Sequence, residues 1–133
     1  MDEVSVDSMI ALAEEVLGYA EEEFRRALET KDILLYRNAA DKAFLALVIA
    51  VNGFIVLRTS TIPRSHIDRR KFLRELGRED LRAIYSDLMR TLHDEAFYEG
   101  VYDPEEVKYA IKKVRDVIEE IKKSHKLEGT LSS

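Results

Sequence analysis

A chain of 133 residues with a net charge of −5 has the length of one domain, and 46% apolar residues suffice for one hydrophobic core. The lack of cysteine excludes disulfide scaffolds and thiolate metal sites, and 2 Pro with 5 Gly argue against an all-β or linker-rich chain. Met1-Asp2-Glu3 lacks the positive start of a secretory signal, so the expected setting is a reducing cytoplasm.

In chain order, Val6, Met9, Ile10, Ala13, Val16, Leu17, Ala20, Phe24, Ala27 and Leu28 recur every three or four residues and predict a first amphipathic helix. Glu14, Glu15 and Glu21 to Glu23 lie on its other side. Thr30 or Asp32 can cap a second helix running to about Leu57. Residues 43–57 of that helix are apolar except for Asn52 and Gly53. That run is shorter than the roughly 20 residues of a membrane span and predicts no membrane association. A helix apolar nearly all round must instead be covered, as the centre of a bundle or also as a dimer interface.

A short helix over about 65–76 opens on Ser65-His66-Ile67-Asp68, a capping-box-like start, and Gly77 stops it. A fourth helix follows to about Tyr98, with Leu81, Ile84, Tyr85, Leu88, Leu92 and Ala96 facing inward. Gly100 ends it, and Asp103-Pro104-Glu105-Glu106 opens the last helix with an N-cap Asp, a first-turn Pro and acids at the positive dipole end. From Ser124 onward the chain is polar and is expected to fray, which leaves His125 inert. The expectation is a single all-α domain over 1–133 with a frayed tail at 124–133. Its architecture is an antiparallel up-and-down bundle of four long helices plus one short helix.

Net charge conceals an asymmetry. Residues 1–57 carry 5 basic against 11 acidic side chains, residues 58–90 carry 9 against 5, and residues 91–133 carry 7 against 10. Within the basic third, Arg64, Arg69, Arg70, Lys71 and Arg74 surround His66, with Asp68 the nearest opposing acid. Such a cluster either pairs with the acidic first helix or forms a footprint for phosphate, to which the planar arginine fork is suited.

Candidate chemistry centres on His93. At helical spacing, Arg90, His93 and Asp94 share a face, with Tyr98 one turn beyond. Arginine holds a phosphate and histidine moves a proton near neutral pH, so Arg90 and His93 together suit metal-free RNA cleavage. Di-iron bundles need Glu-x-x-His, and Pro63, Arg90 and Lys122 stand three residues before the histidines, so no metal site is expected. His93-Asp94 is the dipeptide of the helical HD phosphohydrolases, but Glu95-Ala96-Phe97 departs from their usual continuation. Neither a Gly-rich phosphate loop nor a Walker sequence occurs.

Three segments carry a family resemblance. Asn38-Ala39-Ala40-Asp41-Lys42-Ala43-Phe44-Leu45-Ala46-Leu47 resembles the second-helix segment of HEPN domains, and Pro63-Arg64-Ser65-His66 resembles the segment that follows it there. Leu92 to Gly100, with Tyr102-Asp103-Pro104-Glu105-Glu106-Val107, is similar to the archaeal PaREP branch, a HEPN-like family. The resemblance covers roughly residues 8–123 and implies a HEPN-like bundle that homodimerises and binds a nucleotide, RNA or a partner protein. It also implies kinship with metal-independent endoribonucleases of toxin–antitoxin and defence systems, some of which pair with a small nucleotidyltransferase. Those enzymes use an Arg-x(4–6)-His motif. Here two residues separate Arg90 from His93, so the motif is not intact and a binding protein without cofactor is the leading expectation. Arg64, His66, Arg69, Arg70 and Tyr98 are the candidate phosphate or ligand contacts. An atypical ribonuclease using Arg90 and His93 is the alternative, and a structural partner subunit is the second.

Overall fold

In the computed structural model, which describes residues 3–132 and the side chains of residues 5–127, the elements are helical throughout. Helix α1 spans Glu3–Thr30, α2 Ile33–Thr59, α3 His66–Glu75, α4 Glu79–Leu88 and α5 Pro104–Ser132. A π-helical stretch, Met89–Tyr98, continues α4 without a break, since Leu88 and Met89 both keep right-handed helical backbone. Counting α4 and this stretch as one rod, there are four long helices and one short helix, and no strand among the described residues.

Local chemistry sets the ends. Asp32 caps α2 by accepting from the Leu35 N–H at 3.0 Å. Ser65 caps α3 by accepting from the Asp68 N–H at 3.0 Å, and Asp103 accepts from the Glu106 N–H at 3.2 Å at the head of α5. Gly77 and Gly100 take the left-handed backbone needed where α3 and the π-helical stretch stop, with φ of 76° and 71°.

The side-chain pairings give the directions. Gly53 of α2 lies against Met9 and Ile10 of α1, while Lys42 meets Glu23, so these two helices run antiparallel. Arg115 binds Glu21 and Lys122 binds Glu14, which sets α5 antiparallel to α1. Arg37 meets Phe97 and Asp41 meets His93, which sets the π-helical stretch antiparallel to α2.

Helix α2 is central. Its composition and length would allow a bilayer span, yet 61% of its most apolar window is buried inside the bundle. Small residues let α1 approach it closely: Ala13, Ala20, Ala39, Ala40, Ala43, Ala46 and Ala50 are fully covered. The core continues through Leu47, Ile55, Leu73, Tyr85, Leu92, Val114 and Ile118. Ordinary α-helix ends at Leu88, ten residues earlier in the rod than the periodicity predicts, because the bonds from Met89 to Tyr98 widen to the π pattern.

His125 departs from expectation. Helix α5 extends over Pro104–Ser132, and His125 is only 8% exposed. Its Nε2 stands 2.5 Å from Asp7 Oδ1, so His125 ties the end of α5 to the start of α1.

Candidate functional site

A groove of about 480 Å³ opens between α2, the head of α3 and the π-helical stretch. Helix α2 supplies Asp41, Phe44, Leu45 and Val48, one face at three- and four-residue spacing. The head of α3 supplies Arg64, Ser65, His66 and Arg69, and the rod supplies His93. The rings of His66 and His93 are 6.0 Å apart, and Phe44 packs against both with centroids at 5.5 Å.

The two imidazoles are held differently. His93 Nδ1 lies 2.8 Å from Asp41 Oδ1. A carboxylate oxygen accepts, so Nδ1 carries a proton, and in the neutral ring Nε2 is the bare nitrogen. Phe97 stacks on the other side of this ring at an interplanar angle of 18°. His66 Nδ1 instead meets the Tyr85 hydroxyl at 2.7 Å and Arg69 Nη1 at 3.2 Å. A guanidinium can only donate, so here Nδ1 accepts and Nε2 carries the proton. Burial holds the His66 pKa below its usual 6.5, and the positive charge of Arg69 adds to that, followed by His93 and Arg70; Asp94 pulls weakly the other way. Burial also pushes the Tyr85 phenol above its ordinary value, opposed by Arg69. The groove thus presents one proton acceptor, one neutral donor and two guanidinium groups.

Asn52 accounts for the polar interruption in α2. Its Oδ1 accepts from Arg69 Nε at 2.8 Å, which fixes the guanidinium beside His66 and Tyr85. Charge is distributed unevenly around the groove. The carboxylates of α1 pair with α2 and α5, through Glu23–Lys42, Glu21–Arg115 and Glu14–Lys122, not with α3. Among the described residues, no carboxylate lies within ion-pair distance of Arg64, Arg69, Arg70 or Lys71, whereas Arg82 and Arg115 each reach one and Arg78 reaches two.

The structure therefore unites His66, His93, Arg64 and Arg69 and leaves the other expected residues apart. Arg90 faces a separate pocket with Asp87, Tyr109 and Lys113, and pairs with Asp87 at 3.6 Å rather than with Asp94. The π-helical winding is the physical reason, since it spreads residues three apart over a wider arc than an α-helix does. Arg70 points to Met89 and lines a basic depression with Lys71 and Arg74 on the outer side of α3. Tyr98 is 77% exposed, and it is its backbone carbonyl that is engaged, by Arg37. Sequence reasoning missed Asp41, Tyr85 and Asn52 as partners of the site. Asn52 was the legible signal, being a lone polar side chain in a covered helix. Among the described residues, no group of three or more His, Asp or Glu side chains could hold a metal ion.

No curated protein and no solved structure gives a significant match to this chain. The profile of the archaeal PaREP1/PaREP8 family does match, over residues 15–118. That span takes in the whole groove from Asp41 to His93 and most of the helical bundle, so the chain belongs to the archaeal PaREP1/PaREP8 family.

Proposed function

We propose that the groove binds an RNA phosphodiester and cleaves it without a metal ion, within a HEPN-like bundle. The observation that carries this reading is the pair of imidazoles 6.0 Å apart in opposite hydrogen-bonding states. A ribose phosphodiester offers a matching pair of groups: the 2′-hydroxyl donates to bare His93 Nε2, and the phosphate oxygens accept from His66 Nε2–H, Arg69 and Arg64. His93 takes the 2′-hydroxyl proton while the 2′-oxygen attacks the adjacent phosphorus. The bond from phosphorus to the 5′-oxygen breaks, that oxygen takes a proton from water, and the hydroxide left behind takes the proton back from His93. The products are a 2′,3′-cyclic phosphate and a 5′-hydroxyl. The guanidinium groups offset the charge that builds on phosphorus in between. DNA lacks the attacking hydroxyl and is bound but not cut.

Asp41 orients His93, and its removal weakens the base without abolishing it. The His93–Asp41 pair is about one-third exposed, with side-chain accessibilities of 36% and 37%. The lower end of a charged hydrogen bond, about 1.5 kcal/mol, therefore applies and corresponds to about tenfold in rate.

A second reading, phosphate-ester binding without turnover, is favoured by one observation: Arg90 stands outside the groove. A single experiment separates the two. The full chain is incubated, in chelator, with a single-stranded oligoribonucleotide and with the same oligomer made 2′-deoxy throughout. Cleavage of the ribo form alone is expected, with cyclic phosphate ends, about 100-fold slower or worse in His93→Ala and about tenfold slower in Asp41→Asn. An uncut oligomer, or cutting that His93→Ala leaves unchanged, refutes catalysis. If the uncut oligomer still binds, and binding weakens as salt rises, the binding reading stands.

A further inference from the structure

Two rungs join α2 to the π-helical stretch. Asp41 meets His93, and one turn earlier on the same face of α2, Arg37 meets Phe97, which is four residues beyond His93. Arg37 Nε donates to the Phe97 carbonyl at 2.8 Å, and Nη2 donates to the Tyr98 carbonyl at 3.0 Å. These are the closing carbonyls of the stretch, the positions at which a helix leaves its acceptors without partners of its own. Gly100 makes the approach possible, because a Cβ there would stand 3.0 Å from Arg37 Nη1 and 3.2 Å from Cζ.

We propose that Arg37 is a positioning residue for His93, holding the register in which the imidazole meets Asp41. A π-helical run of ten residues is rare and needs an external hold. Tightening to the α-helical pattern turns the residues after Met89 progressively relative to α2, so the Phe97 and Tyr98 carbonyls leave the guanidinium. His93 Nδ1 leaves Asp41 in the same motion, and the ring loses its preference for one tautomer. Arg37 thus acts on proton transfer through the winding of the backbone and touches no substrate. The functional consequence rests on the reading of the groove as a proton-transfer site; the effect on the ring does not.

The test measures the ring nitrogens of His93 by NMR in the ligand-free full chain, labelled with 15N at histidine. In the wild type, a protonated Nδ1 and a bare Nε2 are expected as two well-separated signals. In Arg37→Gln the separation collapses toward the average of two tautomers while circular dichroism still reports a folded helical protein. A folded Arg37→Gln with the separation intact overturns the proposal. If Arg37→Gln does not fold, Arg37→Lys decides the question, because a single ammonium cannot serve both carbonyls in the geometry of the fork. Its separation narrows if Arg37 sets the register, and an unchanged separation overturns the proposal. On cleavable RNA, kcat of the same variant falls by up to about tenfold, the loss set by the Asp41 contact, with KM unchanged. A collapsed separation in a protein that never cuts RNA upholds the role of Arg37 and removes only the catalytic reading.

Discussion

Replacing Tyr85 by Phe removes one oxygen from the most enclosed part of the site and leaves everything else in place. The Tyr85 side chain is 0% exposed, its ring packs on Phe44 at 5.5 Å and on His66 at 5.9 Å, and Phe retains both contacts. What is lost is the hydrogen bond to His66 Nδ1 at 2.7 Å, together with a longer contact from Arg69 at 3.4 Å. His66 Nδ1 keeps Arg69 as a donor at 3.2 Å, so no buried acceptor is orphaned and the cost is that of one neutral hydrogen bond, about 1 kcal/mol. For a domain of this size that corresponds to a fall in Tm of about 3–5 °C. Differential scanning calorimetry at pH 7.5 measures it directly. The difference is expected to narrow once the pH falls below the lowered His66 value, because a protonated His66 no longer accepts the hydroxyl that the substitution removes. A Tyr85→Phe protein as stable as the wild type at pH 7.5 refutes the assignment of His66 Nδ1 as an acceptor from Tyr85.

Two further outcomes test the fold around the groove. His66 titrates below 6.5 in the folded protein, so just under that pH the unfolded chain binds more protons than the folded one. Its contribution is complete above pH 6.5 and is lost as pH falls through the lower folded value. The loss of stability between pH 7.5 and 5.5, measured by urea unfolding, is therefore smaller in His66→Gln than in the wild type, and an equal loss in both contradicts the assignment. At Gly100, alanine meets a positive φ of 71° and the Arg37 guanidinium, and stability falls by about 1–2 kcal/mol. Gly18→Ala serves as the control. It lies inside α1 with nothing within 4 Å of the new Cβ, and alanine there stabilises by about 0.5–1 kcal/mol. Opposite signs in chemical denaturation are expected, and equal effects refute the clamp between Arg37 and Gly100.

Helix ends were legible because their chemistry is local. Asp32, Ser65 and Asp103 cap as their residue types predict, and Gly77 and Gly100 stop their helices by adopting backbone that other residues resist. The central place of α2 followed from the same logic, since a helix apolar all round has to be covered. The groove was only half legible. His66 and His93 stood out by residue type, but their partners Asp41 and Tyr85 lie 52 and 19 residues away along the chain, and only tertiary packing brings them in. Arg90 was misplaced because its proximity to His93 assumes α-helical winding, and no residue pattern in Met89–Tyr98 announces the π form. His125 was taken for inert since its partner, Asp7, is at the far end of the sequence.

The alanine seam between α1 and α2 has a consequence for how this groove can change. Asp41, Phe44, Val48 and Asn52 hang from one side of α2, while Ala39, Ala43, Ala46 and Ala50 on other sides are fully covered. The thickness of that seam is a gauge: it sets how far α2 stands from α1, and therefore how far its opposite side reaches toward α3 and the rod. Exchanging one of these methyls for an isopropyl group would push the helix outward and narrow the opening without altering a residue that lines it. Aperture and chemistry are thus written in different positions of the same helix. A search for altered ligand preference confined to the lining would pass over the residues that set the aperture.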